Sequence, residues 1–155
     1  DFVEVARRMP DVRFIWLGSI NLWLIPRKIR DLVLFNHPEN VEFPGYFKGA
    51  VFQGAMSGSD AFFFPSYEET EGIVVLEALA SGQHVVLRDI PVYNGWIDEE
   101  SAELCHNVDE FVESLRKVLD GKVDKREAGY RVAESRSIDD VALQLVKAYQ
   151  TVLEM

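Results

Sequence analysis

Residues 64–82 read Phe64-Pro65-Ser66-Tyr67-Glu68-Glu69-Thr70-Glu71-Gly72-Ile73-Val74-Val75-Leu76-Glu77-Ala78-Leu79-Ala80-Ser81-Gly82, a run that predicts a loop followed by an apolar helix. Residues 61–64 predict a short buried strand, and Gly72 to Ala80 reads as a helix that is apolar nearly all round, which is typical of a helix enclosed by its own domain. Glu77 is the exception, because a carboxylate among apolar side chains loses solvation unless a polar group binds it. Ligand hydroxyls would suit that role, so the sequence predicts a ligand site at Glu77.

The start of the same helix predicts an anion site. The free amides of the first turn around Gly72 point out of the N-terminus, and the positive end of the helix dipole favours an anion there. Glu77 lies one turn beyond Ile73 on the same helix face, so a diphosphate at Gly72 would place a ribose near Glu77. In the alternative interpretation, Glu69 and Glu71 merely favour the helix start and Glu77 bonds a neighbouring amide.

The rest of the chain extends this pattern into a regular alternation. Strands are predicted at 12–18, 40–45, 61–64, 84–87 and 102–105, and helices at 2–9, 26–35, 49–57, 72–80, 108–119, 125–135 and 138–153, with Ser137 capping the last helix. The alternation predicts an α/β fold, with a Rossmann-like parallel sheet and helices on both faces. Ligands of such sheets bind at the carboxyl ends of the strands, which places residues 43–46, 66–72 and 89–96 along one edge.

These residues carry a resemblance to a known family. The spacing from Glu69 to Glu77, with Gly72 between them, resembles the Glu-x7-Glu signature of retaining glycosyltransferases of the GT-B fold, family 4 (group 1). More narrowly, residues 67–74 and 88–96 are similar to the diacylglycerol glucosyltransferase branch of Gram-positive bacteria. The chain is thus identified as the C-terminal, donor-binding half of such an enzyme.

The resemblance assigns roles to individual residues. It implies that Glu69 is the catalytic residue that contacts the donor sugar, that the backbone at Gly72 and Ile73 holds sugar and phosphate, and that Glu77 binds ribose hydroxyls. It also implies transfer of a hexose, expected to be glucose, from a UDP-sugar to a hydroxyl of diacylglycerol or a glycolipid. The anomeric configuration is retained and no covalent nucleophile is required.

Four further residues are assigned to donor binding, namely Ser66, Thr70, Gly45 and Tyr46. Tyr46, beside Gly45, is expected to stack on or border the uracil, although a turn aromatic is as often a core plug. Thr70 departs from the family pattern, in which glycine usually follows the first glutamate. Glu71 stands where an aromatic residue is usual, and both departures bear on the contacts to the sugar.

The resemblance also bears on domain organisation. Residues 1–155 are expected to form a single nucleotide-sugar domain that is truncated at its N-terminal strand, with the N-terminal acceptor domain absent. The acceptor lipid or saccharide would bind through that missing domain, so the fragment alone is expected to be inactive as a transferase. The last helix of such enzymes often crosses back to the other half, which predicts partial exposure of Val146, Tyr149 and Val152.

Composition limits the partners. The formal charge of −10 disfavours nucleic acid and anionic membranes as direct partners of this chain. Cys105 is the only cysteine, and the three histidines show no ligand spacing, so we expect no protein-bound metal, no cofactor other than the sugar donor, and a cytoplasmic setting.

One segment suggests contact with a membrane. Residues 21–30 mix Trp, Leu and Ile with Arg27, Lys28 and Arg30, a composition suited to a membrane interface. The favoured interpretation is that the apolar part packs on the sheet, while the cations are solvated or face the donor phosphates. Peripheral association of the full-length protein at the cytoplasmic membrane face remains the alternative.

Two other functional classes compete with the transferase. One is a non-catalytic nucleotide-sugar-binding or regulatory module, and the other is a phosphate-responsive signalling domain, which is disfavoured because no acidic cluster follows the first strand. A glycosidase needs two carboxylates roughly 5–9.5 Å apart across the scissile bond, and Glu77 lies too far along its helix for that.

Overall fold

The computed structural model describes residues 1–19 and 21–154 of the chain. Helices and strands alternate along it as the sequence predicts. The strands are β1 Phe14–Leu17, β2 Val41–Gly45, β3 Phe62–Phe64, β4 Val85–Arg88 and β5 Glu103–Cys105. The helices are α1 Phe2–Arg8, α2 Arg27–Leu34, α3 Ala50–Gly58, α4 Ile73–Ala80, α5 Val108–Leu119, α6 Arg126–Glu134 and α7 Ile138–Leu153, with a 3-10 turn at Pro91–Tyr93.

The strands form two parallel sheets. β1 pairs with β2, placing Phe14 opposite Val41, and β3, β4 and β5 pair in that order, placing Phe63 opposite Val86. The predicted parallel α/β architecture is confirmed, but no backbone ladder joins β1 to β3 within the described residues. Side chains connect the two sheets instead, because the Phe2 ring lies 5.7 Å from that of Phe14 and 5.6 Å from that of Phe63.

Helices cover both faces of the three-stranded sheet. Successive residues of a strand point to opposite faces, and β4 shows this clearly. Val86 belongs to a buried cluster shared with α1 and α5, whereas Val85 and Leu87 belong to a second cluster shared with α4. α6 packs on the outside of α4, where Gly129 lies against Leu79.

α7 buries none of its residues. Its cap is as predicted, because the Ser137 hydroxyl accepts a hydrogen bond from the Asp140 amide at 3.2 Å. The predicted exposure of Val146, Tyr149 and Val152 is also confirmed. Among the described residues, no helix is both long and apolar enough to cross a membrane.

The segment from residue 21 to residue 30 differs from expectation. Trp23 is 85% exposed and Leu24 is 81% exposed, and α2 buries no residue. Packing of these side chains on the sheet was therefore the wrong prediction. The guanidinium of Arg30 lies 5.6 Å from the centre of the Trp23 ring, so the indole contacts a cation of its own segment rather than the core.

Candidate functional site

A folded loop after β3 positions Glu69. The loop begins at Pro65, which is buried where β3 ends. The Ser66 hydroxyl then lies 2.8 Å from Oε1 of Glu69 and 3.0 Å from the Glu68 carbonyl oxygen, so it can donate to either. Glu69 is half-buried, and a carboxylate oriented by a hydrogen bond is well suited to direct a ligand hydroxyl.

Gly72 forms the start of α4 in a conformation that suits glycine. Its φ of 81° and ψ of 44° lie in the left-handed region, and its carbonyl accepts a hydrogen bond from the Val75 amide at 2.8 Å. No side chain of the described residues caps α4. The amides of Ile73 and Val74 make no hydrogen bond to the described residues, so they remain available to an anion.

Glu77 lies on the open face of α4. The helix buries Val75, Ala78 and Leu79, whereas Glu77 is exposed and Ile73, one turn earlier, is 63% exposed. The prediction that α4 is enclosed and Glu77 desolvated was therefore wrong, because one face of this short helix is not covered. Glu77 makes no side-chain hydrogen bond to the described part of the chain, so the alternative of a bond to a neighbouring amide is not observed.

Tyr93 is a site residue that sequence reasoning did not single out. A Cβ atom built on Gly72 would lie 2.9 Å from Cε1 of Tyr93 and 3.4 Å from its hydroxyl oxygen. Burial raises the pKa of this phenol to about 12, and the negative charge of Glu69 contributes. The predicted convergence of residues 66–72 with residues 89–96 is thus observed, but the sequence contains no signal that the tyrosine ring would lie beneath Gly72.

Arg88 is the last residue of β4 and contacts the loop that follows β3. Its buried guanidinium pairs with the Asp1 carboxylate, donates to the His106 carbonyl at 2.7 Å, and stacks 4.0 Å from the centre of the Tyr67 ring. Within the described residues, Arg88 forms no ion pair with its neighbour Asp89. Asp89 instead faces the ring of His106, with Oδ2 3.2 Å from Nε2.

His106 lies between two carboxylates at the same edge. Its Nδ1 is 3.0 Å from Oε2 of Glu110, and this hydrogen bond raises the pKa of the imidazole, with the charge of Asp89 adding to the effect. The ring is exposed to solvent. Its position at the carboxyl end of the sheet makes the charge of this edge dependent on pH.

The remaining predicted donor residues are less closely grouped. Gly45 ends β2 with a φ of 98°, and its carbonyl accepts a hydrogen bond from the Gly18 amide at 2.9 Å. Tyr46 and Thr70 are exposed. No hydrogen bond or aromatic contact within residues 1–19 and 21–154 connects Tyr46 with the 66–72 loop. The structure therefore brings Ser66, Glu69 and Gly72 together, but it does not bring Tyr46, the expected uracil contact, into the same group.

Metal-ligand side chains are not clustered in the described residues. No three His, Cys, Asp or Glu side chains there come close enough together to hold an ion. Cys105 is buried, and burial raises the pKa of its thiol. This cysteine is therefore a poor candidate for a reactive thiolate.

Two curated proteins are similar in sequence. The chain is 48% identical over 157 residues to the processive diacylglycerol alpha-glucosyltransferase of Acholeplasma laidlawii, covering 100% of this chain and 47% of the relative. It is 28% identical over 95 residues to the alpha-galactosylglucosyldiacylglycerol synthase of Streptococcus pneumoniae (strain ATCC BAA-255 / R6), covering 60% of this chain and 25% of that protein. The chain thus spans less than half the length of either relative.

Two solved structures are similar in fold. The pneumococcal O-GlcNAc transferase GtfA, in complex with UDP and GlcNAc, has a TM-score of 0.74 at 18% identity, over 99% of this chain and 32% of that one. TarM has a TM-score of 0.72 at 20% identity, over 94% of this chain and 30% of its own. At such identities the likeness shows only the fold, which is that of the GT-B glycosyltransferases.

A family model gives the assignment directly. The model described as glycosyl transferases group 1 matches residues 1–121, well over half of the 155 residues. The family predicted from the Glu69 to Glu77 spacing is thereby confirmed, and the chain belongs to the group 1 glycosyl transferases.

Proposed function

We propose that this chain is the donor-binding domain of a bacterial retaining glycosyltransferase. The whole protein would transfer a hexose, glucose in the first instance, from a UDP-sugar to a hydroxyl of diacylglycerol or a glycolipid. The observation that carries the proposal is the start of α4 at Gly72, which no described side chain caps, with an exposed carboxylate at Glu77 that makes no hydrogen bond to the described residues. This arrangement offers donors for phosphate and acceptors for ribose on one open surface.

The donor diphosphate would bind at Gly72. The free amides of the first turn together with the helix dipole favour the negative charge. Glu77 then accepts hydrogen bonds from the ribose hydroxyls, a role for which its exposed carboxylate needs no rearrangement. Tyr46 and Gly45, at the end of β2, would border the uracil. UDP in the GtfA complex supports a uridine donor by fold likeness.

Glu69 would orient the hexose. The Ser66 hydroxyl holds one carboxylate oxygen at 2.8 Å, which limits the orientations that the side chain can adopt. In a front-face displacement the leaving diphosphate itself helps to deprotonate the acceptor, so the protein mainly positions groups and stabilises charge. Ser66, Thr70 and the amide of Ile73 complete the proposed donor contacts. The scheme requires neither a covalent nucleophile nor a protein-bound metal or other cofactor.

The sheet order supports the assignment to a donor half that lacks its first strand. In a doubly wound sheet of order 3-2-1-4-5-6, strand 1 lies between strands 2 and 4. The observed orders β1-β2 and β3-β4-β5 match 2-3 and 4-5-6, so the boundary between the two sheets corresponds to strand 1. The residues of β3 are only partly buried, whereas those of a central strand in a parallel sheet are normally buried. This exposure is consistent with a missing neighbour beside β3. We propose that a strand outside this chain fills that position in the whole protein.

The acceptor and the membrane form the second part of the proposal. The names of both curated relatives describe synthesis of glycosylated diacylglycerol, so a lipid acceptor is the natural choice. Trp23 and Leu24 project into solvent beside Arg27, Lys28 and Arg30. Exposed apolar side chains next to cations suit an anionic bilayer surface locally, against the repulsion expected from the chain's formal charge of −10. The whole protein would therefore associate peripherally with the cytoplasmic face of the membrane through this segment.

A donor-binding module without transfer activity is the second candidate, and one assay separates the two. The whole protein that contains this chain is incubated with UDP-glucose and vesicles containing diacylglycerol, and release of UDP is measured together with the anomeric configuration of the product. Release of UDP with an α-glucolipid supports the transferase. Binding of UDP-glucose without any release would support the module and contradict the transferase.

A further inference from the structure

The hydroxyl of Tyr93 has no hydrogen-bond partner among the described residues. The residue is 2% exposed, and its hydroxyl oxygen is buried without a hydrogen bond from the described residues. A buried hydroxyl without a partner is costly, so such groups are rare in folded proteins and call for an explanation. The ring does not need the hydroxyl to pack, because its contact with Trp96 is edge-to-face at 5.6 Å between ring centres.

The hydroxyl lies beneath the proposed donor site. A Cβ atom at Gly72 would be 3.4 Å from the hydroxyl oxygen, which places the oxygen directly under the start of α4. Glu69 is near enough for its charge to act on the phenol. Of the two carboxylate oxygens of Glu69, Oε1 is hydrogen-bonded to the Ser66 hydroxyl, and Oε2 carries no hydrogen bond from the described residues. An unpaired donor beside Gly72 and a free acceptor on Glu69 therefore belong to the same short stretch of the site.

We propose that Tyr93 is a positioning residue for Glu69: in the complex with the sugar donor, the Tyr93 hydroxyl donates to Oε2 of Glu69 and fixes its carboxylate toward the hexose. The inference rests on the proposed function, because it assumes that Glu69 faces the sugar. Ser66 and Tyr93 would then hold the two oxygens of one carboxylate. Burial keeps the phenol protonated at any physiological pH, so the donor is always present.

The Tyr93→Phe variant separates positioning from packing. It removes a hydroxyl that makes no hydrogen bond to the described residues, so the melting temperature should be unchanged or higher, and the affinity for UDP should be unchanged. The gain in affinity from UDP to UDP-glucose should fall about tenfold, as expected for the loss of one charge-assisted hydrogen bond. Tyr130→Phe, at a half-exposed tyrosine on α6, is the matched control and should change none of these values.

A double-mutant cycle with Glu69→Ala tests the coupling between the two residues. Tyr93→Phe should cost no further sugar-dependent affinity once the Glu69 carboxylate is absent. In a protein labelled with ¹³C at tyrosine Cζ, the Tyr93 resonance should shift with UDP-glucose and not with UDP. Additive effects of the two substitutions, or an equal shift with both ligands, would overturn the inference.

The outcomes distinguish this inference from the proposed function. A wild-type chain that binds UDP, and binds UDP-glucose more tightly, while Tyr93→Phe keeps the full gain, contradicts the inference alone. A lower melting temperature for Tyr93→Phe with unaltered ligand affinities also contradicts it, because the hydroxyl would then serve the fold. A wild-type chain that binds neither ligand overturns the proposed function and the inference together.

Discussion

The ring of Tyr93 fills the space that a side chain at position 72 would need, because a Cβ atom on Gly72 would lie 2.9 Å from Tyr93 Cε1. The two residues are far apart in sequence, one starting α4 and the other ending the turn after β4. Their contact joins the carboxyl ends of β3 and β4 at the proposed donor site. It also makes glycine at position 72 a structural requirement independent of any ligand.

We therefore expect Gly72→Ala to destabilise the chain by about 3 kcal/mol, since alanine is strained in the left-handed region and its methyl group overlaps the ring. Chemical denaturation measures this free energy of unfolding. Gly54→Ala, inside α3 with no neighbouring atom within 4 Å of its Cβ position, is the control and should stabilise the chain by about 0.5–1 kcal/mol. Equal effects of the two substitutions would contradict this explanation.

Glu77→Gln should separate function from stability. Glu77 is exposed and makes no bond to the described residues, so we expect its substitution to change the free energy of unfolding by less than about 0.5 kcal/mol. The affinity for UDP should fall at least about tenfold, because the ribose hydroxyls lose a charged acceptor. Isothermal titration calorimetry gives the affinity, with Glu134→Gln on the exposed face of α6 as control. Unaltered UDP binding would show that Glu77 is not the ribose site.

Glu69→Gln should act on the sugar and not on the nucleotide. We expect an affinity for UDP close to that of the wild type, and an affinity for UDP-glucose reduced about tenfold, because the carboxylate that orients the hexose loses its charge. Glu68→Gln changes an exposed neighbour in the same loop and should leave both affinities unaltered. The mapping of Glu69 would be wrong if its substitution weakened UDP and UDP-glucose equally.

The contribution of His106 to stability should depend on pH. The hydrogen bond to Glu110 raises the pKa of His106 in the folded chain, so the stabilisation is fully present below the unfolded pKa and is lost as pH rises through the folded value. His106→Gln should therefore lower the urea midpoint at pH 5.5 and have little effect at pH 9. Repeating the comparison in a Glu110→Gln background should greatly reduce the pH dependence. A deficit that is constant across pH would contradict the ion pair.

The segment from residue 21 to residue 30 should bind anionic bilayers. Replacing Trp23 and Leu24 together by alanine should reduce sedimentation with phosphatidylglycerol vesicles, because less apolar surface is then buried in the bilayer. Higher salt should reduce wild-type binding, because the cations of this segment act through long-range attraction. The control replaces Tyr149 and Val152, two exposed apolar residues of α7. Equal losses in both double variants would indicate non-specific adhesion.

Periodicity and glycine placement were sufficient to predict the elements. The helices and strands follow the predicted order within a few residues. Segments such as 84–87 and 108–119 have the hydrophobic periodicity of a strand and a helix, which indicates the local structure directly. The division into two sheets was not predicted, because local patterns show where strands lie but not which strands pair. The pairing of Arg88 with Asp1 was missed for the same reason, being a contact between distant parts of the chain.

The sequence correctly predicted that residues of the 66–72 loop meet, but it did not predict how much each side chain of the site is exposed. Ser66, Glu69 and Gly72 do meet, because they belong to one loop whose ends are fixed by β3 and α4. The burial of Glu77 was wrong, since an apolar residue such as Ile73 can also line an open surface, and the sequence does not show which face is covered. Tyr93 was missed because a tyrosine in a loop carries no sign of whether its hydroxyl finds a partner.

Saturation-transfer NMR of this chain with UDP, UDP-glucose and ADP-glucose tests the donor site most directly, because the method detects weak binding. We expect signals for the two uridine ligands, weaker signals for ADP-glucose, and loss of the uridine signals in Glu77→Gln but not in Glu134→Gln. Absence of signal for both uridine ligands, or signals that persist unaltered in Glu77→Gln, would contradict the assignment of a nucleotide-sugar site to the start of α4.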